Sequence, residues 1–120
     1  MSCKQINLDC GVDFSVDSGF YYAFTAELNY SVQNSQIFFD IQTPGENTLL
    51  LQLQIQTNEA LSGIFIQDEN KGFVDIVIIG ADSENIKGNK SYQFYTIGSN
   101  GKHDIISEGT IQFCGGVINV

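Results

Sequence analysis

Tryptophan is missing from this 120-residue chain, and proline, methionine and histidine occur once each. Without tryptophan, and with no Cys–Trp–Cys spacing, the hallmarks of an antibody-type domain are absent. One proline and no long Gly/Ser tract leave no internal linker or disordered segment. Charge is also scarce, at 16% of residues, so solubility must lean on Asn, Gln, Ser and Thr. Basic residues are scarcest: 5 Lys plus Arg stand against 14 Asp plus Glu, a net charge of −9. Such a field repels phosphate backbones and anionic lipid, so neither nucleic acid nor a membrane surface is an expected partner. No apolar run has the length of a transmembrane helix. Residues 1–10 lack the apolar core of a signal peptide, so synthesis in a cytosol is expected.

Catalytic signatures are missing too. The chain has no G-x-S-x-G, H-E-x-x-H, P-loop or G-x-G-x-x-G pattern. His103, beside Asp104, has no nucleophile and orienting partner in sequence reach and reads as a surface residue. The acidic runs Asp68-Glu69-Asn70 and Asp82-Ser83-Glu84 lack EF-hand spacing and read as solvated turns. No enzyme, no cofactor and no metal site are therefore expected. Cys3, Cys10 and Cys114 form no disulfide framework by number or spacing and read as reduced thiols. With His103 they have the ligand types of a zinc site but no C-x-x-C knuckle. A Cys10–Cys114 bridge, or an intermolecular one, is the remaining alternative.

What the chain does have is a single domain's worth of core: 42% hydrophobic and 12% aromatic residues. Period-two alternation recurs along it. Residues 3–9 alternate weakly through Ile6 and Leu8, and Val12, Phe14 and Val16 alternate with polar neighbours. Phe20 to Tyr30 reads as a long strand with Phe20, Tyr22, Phe24, Ala26 and Leu28 on one face. After a polar turn at 31–35, Ile37, Phe39 and Ile41 make a second core face. Pro44-Gly45 then fits a type II turn. Leu49, Leu51, Leu53 and Ile55 alternate with Leu50, Gln52, Gln54 and Gln56, the cleanest alternation in the chain.

Residues 58–63 read as a loop, 64–67 as a short strand and 68–72 as a turn closed by Gly72. Phe73 to Ile79 is apolar on both sides except Asp75, as for a central strand covered on both faces. Residues 81–88 read as one helical turn capped by Gly88. In the last hairpin Tyr92, Phe94 and Thr96 share one face, and Gln93, Tyr95 and Ile97 the other. Gly98-Ser-Asn-Gly101 is the turn, and Gly109 in the return strand suggests a bulge.

About seven to eight strands, with turns every eight to twelve residues and only short helical turns, predict an all-β fold. That fold is a single antiparallel β-sandwich of immunoglobulin-like type. Residues 1–18 form an N-terminal segment able to dock on a neighbour, 19–114 the sandwich and 115–120 a short tail. Tyr21, Phe38, Leu50 and Tyr95 fall on outer strand faces, where an apolar patch marks an interaction site.

The closing hairpin also carries a resemblance. Gly88-x-x-x-Tyr92-x-Phe94-x-x-x-Gly98-x-x-Gly101, followed by Ile105-Ile-Ser-Glu-Gly109-Thr-Ile111, resembles the last hairpin of small phage virion domains. The preceding Gly72-x-Val74-x-Ile76-x-Ile78 run and the turn 81–87 match their element order. The group includes immunoglobulin-like or β-sandwich N-terminal domains of phage baseplate upper proteins and related capsid and tail accessory proteins. The resemblance implies a virion structural protein made in the host cytoplasm, a capsid auxiliary or a tail or baseplate component. Its implied partners are capsid or tail subunits and further copies of itself. A stand-alone module binding carbohydrate or a surface protein is the alternative.

Overall fold

The computed structural model describes residues 14–17, 19, 21–28, 30–46 and 48–114. The expected strand at 3–9, Phe20, Cys3, Cys10 and the tail 115–120 lie outside the described residues. The elements run β1 (Phe14–Asp17), β2 (Tyr22–Glu27), β3 (Gln36–Gln42), β4 (Leu49–Gln54), β5 (Gly63–Asp68), β6 (Phe73–Ile78), α1 (Gly80–Ser83), β7 (Gly88–Ile97) and β8 (His103–Cys114).

They form two sheets, one of order β1-β8-β7-β3-β4 and one of order β2-β6-β5. Within the sheets every strand pairing is antiparallel except the short edge contact of β1 with β8, which is parallel; an isolated parallel bridge joins Ile55, just after β4, to Ile64 of β5. Named as the B to G strands of an immunoglobulin domain, β2-β6-β5 is B-E-D and β8-β7-β3 is G-F-C. β4 extends the second sheet as the extra strand of the variable type does. The fold is thus an all-β sandwich with immunoglobulin-type strand order. Residues 14–17, inside the expected N-terminal segment, join the sandwich as β1.

The expected core faces meet between the sheets. Tyr22, Phe24, Ala26 and Leu28 from the first long strand are buried, as are Ile37, Phe39 and Ile41 from the second. Tyr92, Phe94 and Thr96 complete the layer from β7. Phe39 is the hub: its ring lies 5.9 Å from Phe24, 6.0 Å from Phe94 and 5.3 Å from Tyr92, on which it stacks. Antibody domains fill this space with a disulfide between B and F against a tryptophan on C. Here phenylalanines on the same three strands fill it, so immunoglobulin order survives without the hallmark residues. Large rings supply the area that the covalent link and indole would otherwise provide.

Four local expectations change in the folded chain. The leucine alternation of β4 does not mark a core strand: Leu53 is buried, Leu51 half-buried, and Leu49 and Ile55 are exposed. β4 lies at the sheet edge, where only one end reaches the opposite sheet. The helical turn ends at Glu84, and Gly88, with φ of +85°, opens β7 instead of capping α1. β6 is the centre of its sheet, but its outer side is covered unevenly, with Val77 buried and Phe73 and Asp75 half-buried.

The fourth change is the bulge. Gly109 pairs regularly with Tyr92, whereas the register shifts between Phe94↔Ser107 and Tyr95↔Ile105, leaving Ile106 as the extra residue. The turns otherwise follow their chemistry. Glu46 N–H donates to the Thr43 carbonyl at 3.0 Å across Pro44-Gly45, and Gly45 has φ of +80°. Gly72 is needed twice over: its φ is +74°, and a Cβ there would come within 2.3 Å of the Tyr30 carbonyl oxygen.

Candidate interaction face

The outer face of the five-stranded sheet brings three aromatic rings together. β3 and β7 pair with Phe38 opposite Tyr95, so both rings leave the sheet on the side away from the core. They stack at 5.2 Å with 24° between planes. On the other side of Tyr95 lies His103, its ring parallel within 7° at 6.1 Å. Tyr95 is therefore the middle ring of a three-ring row crossing β3, β7 and β8. Ile105 pairs with Tyr95 across the hairpin and is 50% exposed.

The bulge at Ile106 makes this row. His103 and Ile105 share odd numbering with Ile111 and Phe113, and a regular strand would put all four on one face. One extra residue switches the facing. Ser107, Ile111 and Phe113 turn into the core, while His103 and Ile105 stay with Tyr95 outside. On the inner side, the Ser107 and Tyr92 hydroxyls share a 2.9 Å hydrogen bond, which satisfies both where they are buried.

A polar network borders the rings. Tyr95 O–H donates to Asp40 Oδ2 at 2.9 Å, and Gln52 Nε2 donates to Asp40 Oδ1 at 2.9 Å. Gln54 Nε2 in turn donates to Gln52 Oε1 at 3.2 Å. Partial burial and then the Asp40 carboxylate push the Tyr95 hydroxyl up to about 12, since both disfavour a tyrosinate there. Tyr95 is held neutral, with its ring fixed by two stacking neighbours and its hydroxyl by Asp40. An aromatic fixed before binding loses little side-chain entropy on contact.

Of the four residues singled out in the sequence, Phe38 and Tyr95 form the centre of this face. Leu50 lies on β4 of the same sheet and is 41% exposed. Tyr21 does not join them. It stands before β2, 68% exposed, at a hollow of about 330 Å³ on the other sheet, with Phe65, Val77, Glu59, Gln67 and Asp75. His103 and Asp40 were not anticipated as members. The hairpin turn would have placed His103 and Ile105 opposite Ile97 and Tyr95, but the bulge that keeps this pairing compatible with the core has no sequence mark.

No protein-family model and no curated protein sequence matches this chain. The site is defined by its own geometry.

That geometry offers recognition surface. Among the described residues, no group of three or more His, Cys, Asp or Glu side chains is placed to hold a metal ion. A zinc site using both His103 and Cys114 is also closed by distance. They begin and end the 12-residue β8, roughly 35 Å apart at the usual strand rise. At the sandwich end, Tyr30 O–H donates to Asp104 Oδ2 at 3.0 Å, with its oxygen 3.4 Å from Thr96 Oγ1. This contact ties the segment after β2 to the β7–β8 hairpin and steadies the end that carries His103.

Proposed function

We propose that this chain is a non-enzymatic protein–protein interaction module, and that its role is structural, in a phage particle. The observation that carries the first half is the row Phe38–Tyr95–His103 with Ile105 on a sheet face bordered by Asp40, Gln52 and Gln54. Rigid stacked aromatics with a polar rim are the composition of protein-binding hot spots. The second half rests on the hairpin's resemblance to phage virion domains. A net charge of −9 agrees with contact to other proteins at a particle's outside in preference to packaged nucleic acid. Capsid or tail subunits are the partners this reading names.

The test is incorporation. In an infected culture the wild-type chain should sediment with assembled particles in a density gradient. Tyr95→Ala should stay in the soluble fraction while keeping its thermal unfolding transition. A wild-type chain that never travels with particles would end the virion reading.

A second reading, a glycan-binding module, is favoured by the Tyr21 hollow, where rings and carboxylates line one cleft. The two readings differ in which substitution matters. Tyr21→Ala should leave incorporation unchanged if the module works through the five-stranded sheet.

A further inference from the structure

We propose that the Tyr21 hollow receives an arginine side chain presented by a partner protein. The proposal rests on the interaction-module reading above and adds a second contact surface, on the opposite sheet from the ring row. It puts a guanidinium where the glycan-binding alternative puts a sugar.

Strand register builds the hollow. Ala23 of β2, Val77 of β6 and Gly63 of β5 stand in one row across the outer face, and Thr25, Asp75 and Phe65 in the next. The first row is low, with a methyl group, a buried valine and a residue without a side chain. Phe65 supplies a ring from the second row, and Tyr21, just before β2, supplies another. Gly63 also lets the chain that follows β4 pass close over the sheet. A Cβ at Gly63 would come within 2.4 Å of the Gln56 Cβ. That stretch leads to Glu59 at the hollow, and its own side chains shape it. Gln56 Oε1 accepts the Thr57 and Asn58 N–H groups at 3.1 and 3.2 Å, and Asn58 Oδ1 accepts the Ala60 N–H at 3.0 Å.

Chemistry selects the occupant. The hollow, about 330 Å³, is lined by Tyr21, Phe65, Val77, Glu59, Gln67 and Asp75, and none of these described residues is basic. Asp75 interrupts an otherwise apolar central strand, Phe-Val-Asp-Ile-Val-Ile, and is half-buried there. Its Oδ1 accepts the Thr25 hydroxyl at 3.0 Å. A hydroxyl leaves the negative charge in place, and a carboxylate partly withdrawn from water gains from a cation.

A lining rich in acceptors calls for a ligand rich in donors. Sugar hydroxyls donate and accept alike, whereas a guanidinium has five N–H donors and no acceptor. It is planar, it can bond a carboxylate through two parallel N–H groups, and it stacks on aromatic faces. A lysine ammonium offers a point charge without the plane. The net charge of −9 draws a cationic group towards the chain, and the rings beside the two carboxylates hold it at this place.

The experiment is a titration of the isotope-labelled full chain with the peptide acetyl-Gly-Arg-Gly-amide, followed by amide NMR shifts at low salt. The citrulline version of the peptide, which keeps the shape and loses the charge, runs beside it, as do glucose, galactose and N-acetylglucosamine. The arginine peptide should shift the amides of Phe65, Asp75 and Val77 saturably. The citrulline peptide should bind roughly tenfold or more weakly. Asp75→Asn should weaken the arginine peptide by a similar factor, and its amide oxygen can still accept the Thr25 hydroxyl. Glu59→Gln, at an exposed position outside the strands, should weaken it too and decides the matter should Asp75→Asn not fold. No saturable shift, equal binding of citrulline, shifts scattered away from the hollow, or binding indifferent to these substitutions would overturn the proposal. Shifts with a sugar and none with arginine would overturn it in favour of glycan binding. Failure here is separable from failure of the ring-row reading. Tyr95→Ala leaves the three-stranded sheet intact and should bind the peptide as wild type does, and Asp75→Asn leaves the ring row intact.

Discussion

Tyr95 shows how one side chain can be fixed by unlike forces. Phe38 and His103 hold its ring, and Asp40 accepts its proton in a 2.9 Å hydrogen bond. Desolvation, with Asp40 second, raises its pKa from 10.0 to about 12. The folded chain therefore keeps this proton over a range where the unfolded chain loses it. The stability so contributed is complete below pH 10 and is lost as pH rises from 10 towards about 12. Urea unfolding measured at several pH values across that window should show stability falling. Tyr95→Phe should flatten part of the fall. A residue of it should persist, because Tyr30 is also raised, first by burial and with Asp104 contributing. Equal slopes in wild type and Tyr95→Phe would mean that burial and Asp40 together do not hold the proton on Tyr95 in solution.

At the scale of elements, the β7–β8 hairpin matters most. It forms the middle of the larger sheet together with β3, and its bulge sorts β8 into a core half and a surface half. Deleting Ile106 would restore a regular ladder and leave both halves on their present faces, because Ile105 would then stand next to Ser107 as Tyr95 stands next to Phe94. The expected outcome is a cooperative urea transition that survives, shifted to lower urea by the loss of a partly buried side chain. Ile106→Ala should unfold cooperatively at lower urea, because it trims the side chain and leaves the register alone. β4 teaches a different lesson. Its alternation was legible in sequence, but alternation reports which side chains share a face, not whether anything covers that face. Leu51 points as a core strand's would but is only half-covered, and the register shift before Gln42 turns Leu49 to the other side.

For the whole molecule, the balance of charge against core is the governing fact. Fourteen acidic residues on a 120-residue chain repel one another, and five basic ones offset little of it. Added salt screens that repulsion, with a Debye length of about 30 Å at 0.01 M falling to about 8 Å at 0.15 M. The melting temperature, followed by circular dichroism, should therefore rise over this range. It would fall instead if attractive surface pairs dominated.

The sequence by itself determined the all-β class, the places of most strands and which side chains face inward in β2, β3 and β7. Those are consequences of local backbone geometry: a strand's period of two is written in every pair of neighbours, and turn residues mark its ends. It also marked Phe38 and Tyr95, because outward positions follow once inward ones are known. Tertiary structure decided what depends on distant partners. Pairing of β3 with β7 put Phe38 on Tyr95; the bulge at Ile106 put His103 beside them; sheet order separated Tyr21 from the group and left β4 at an edge. None of these is a property of a short stretch of chain. Each is set by which strands cover the most apolar surface when the two sheets close, with Phe24, Phe39 and Phe94 packed between them.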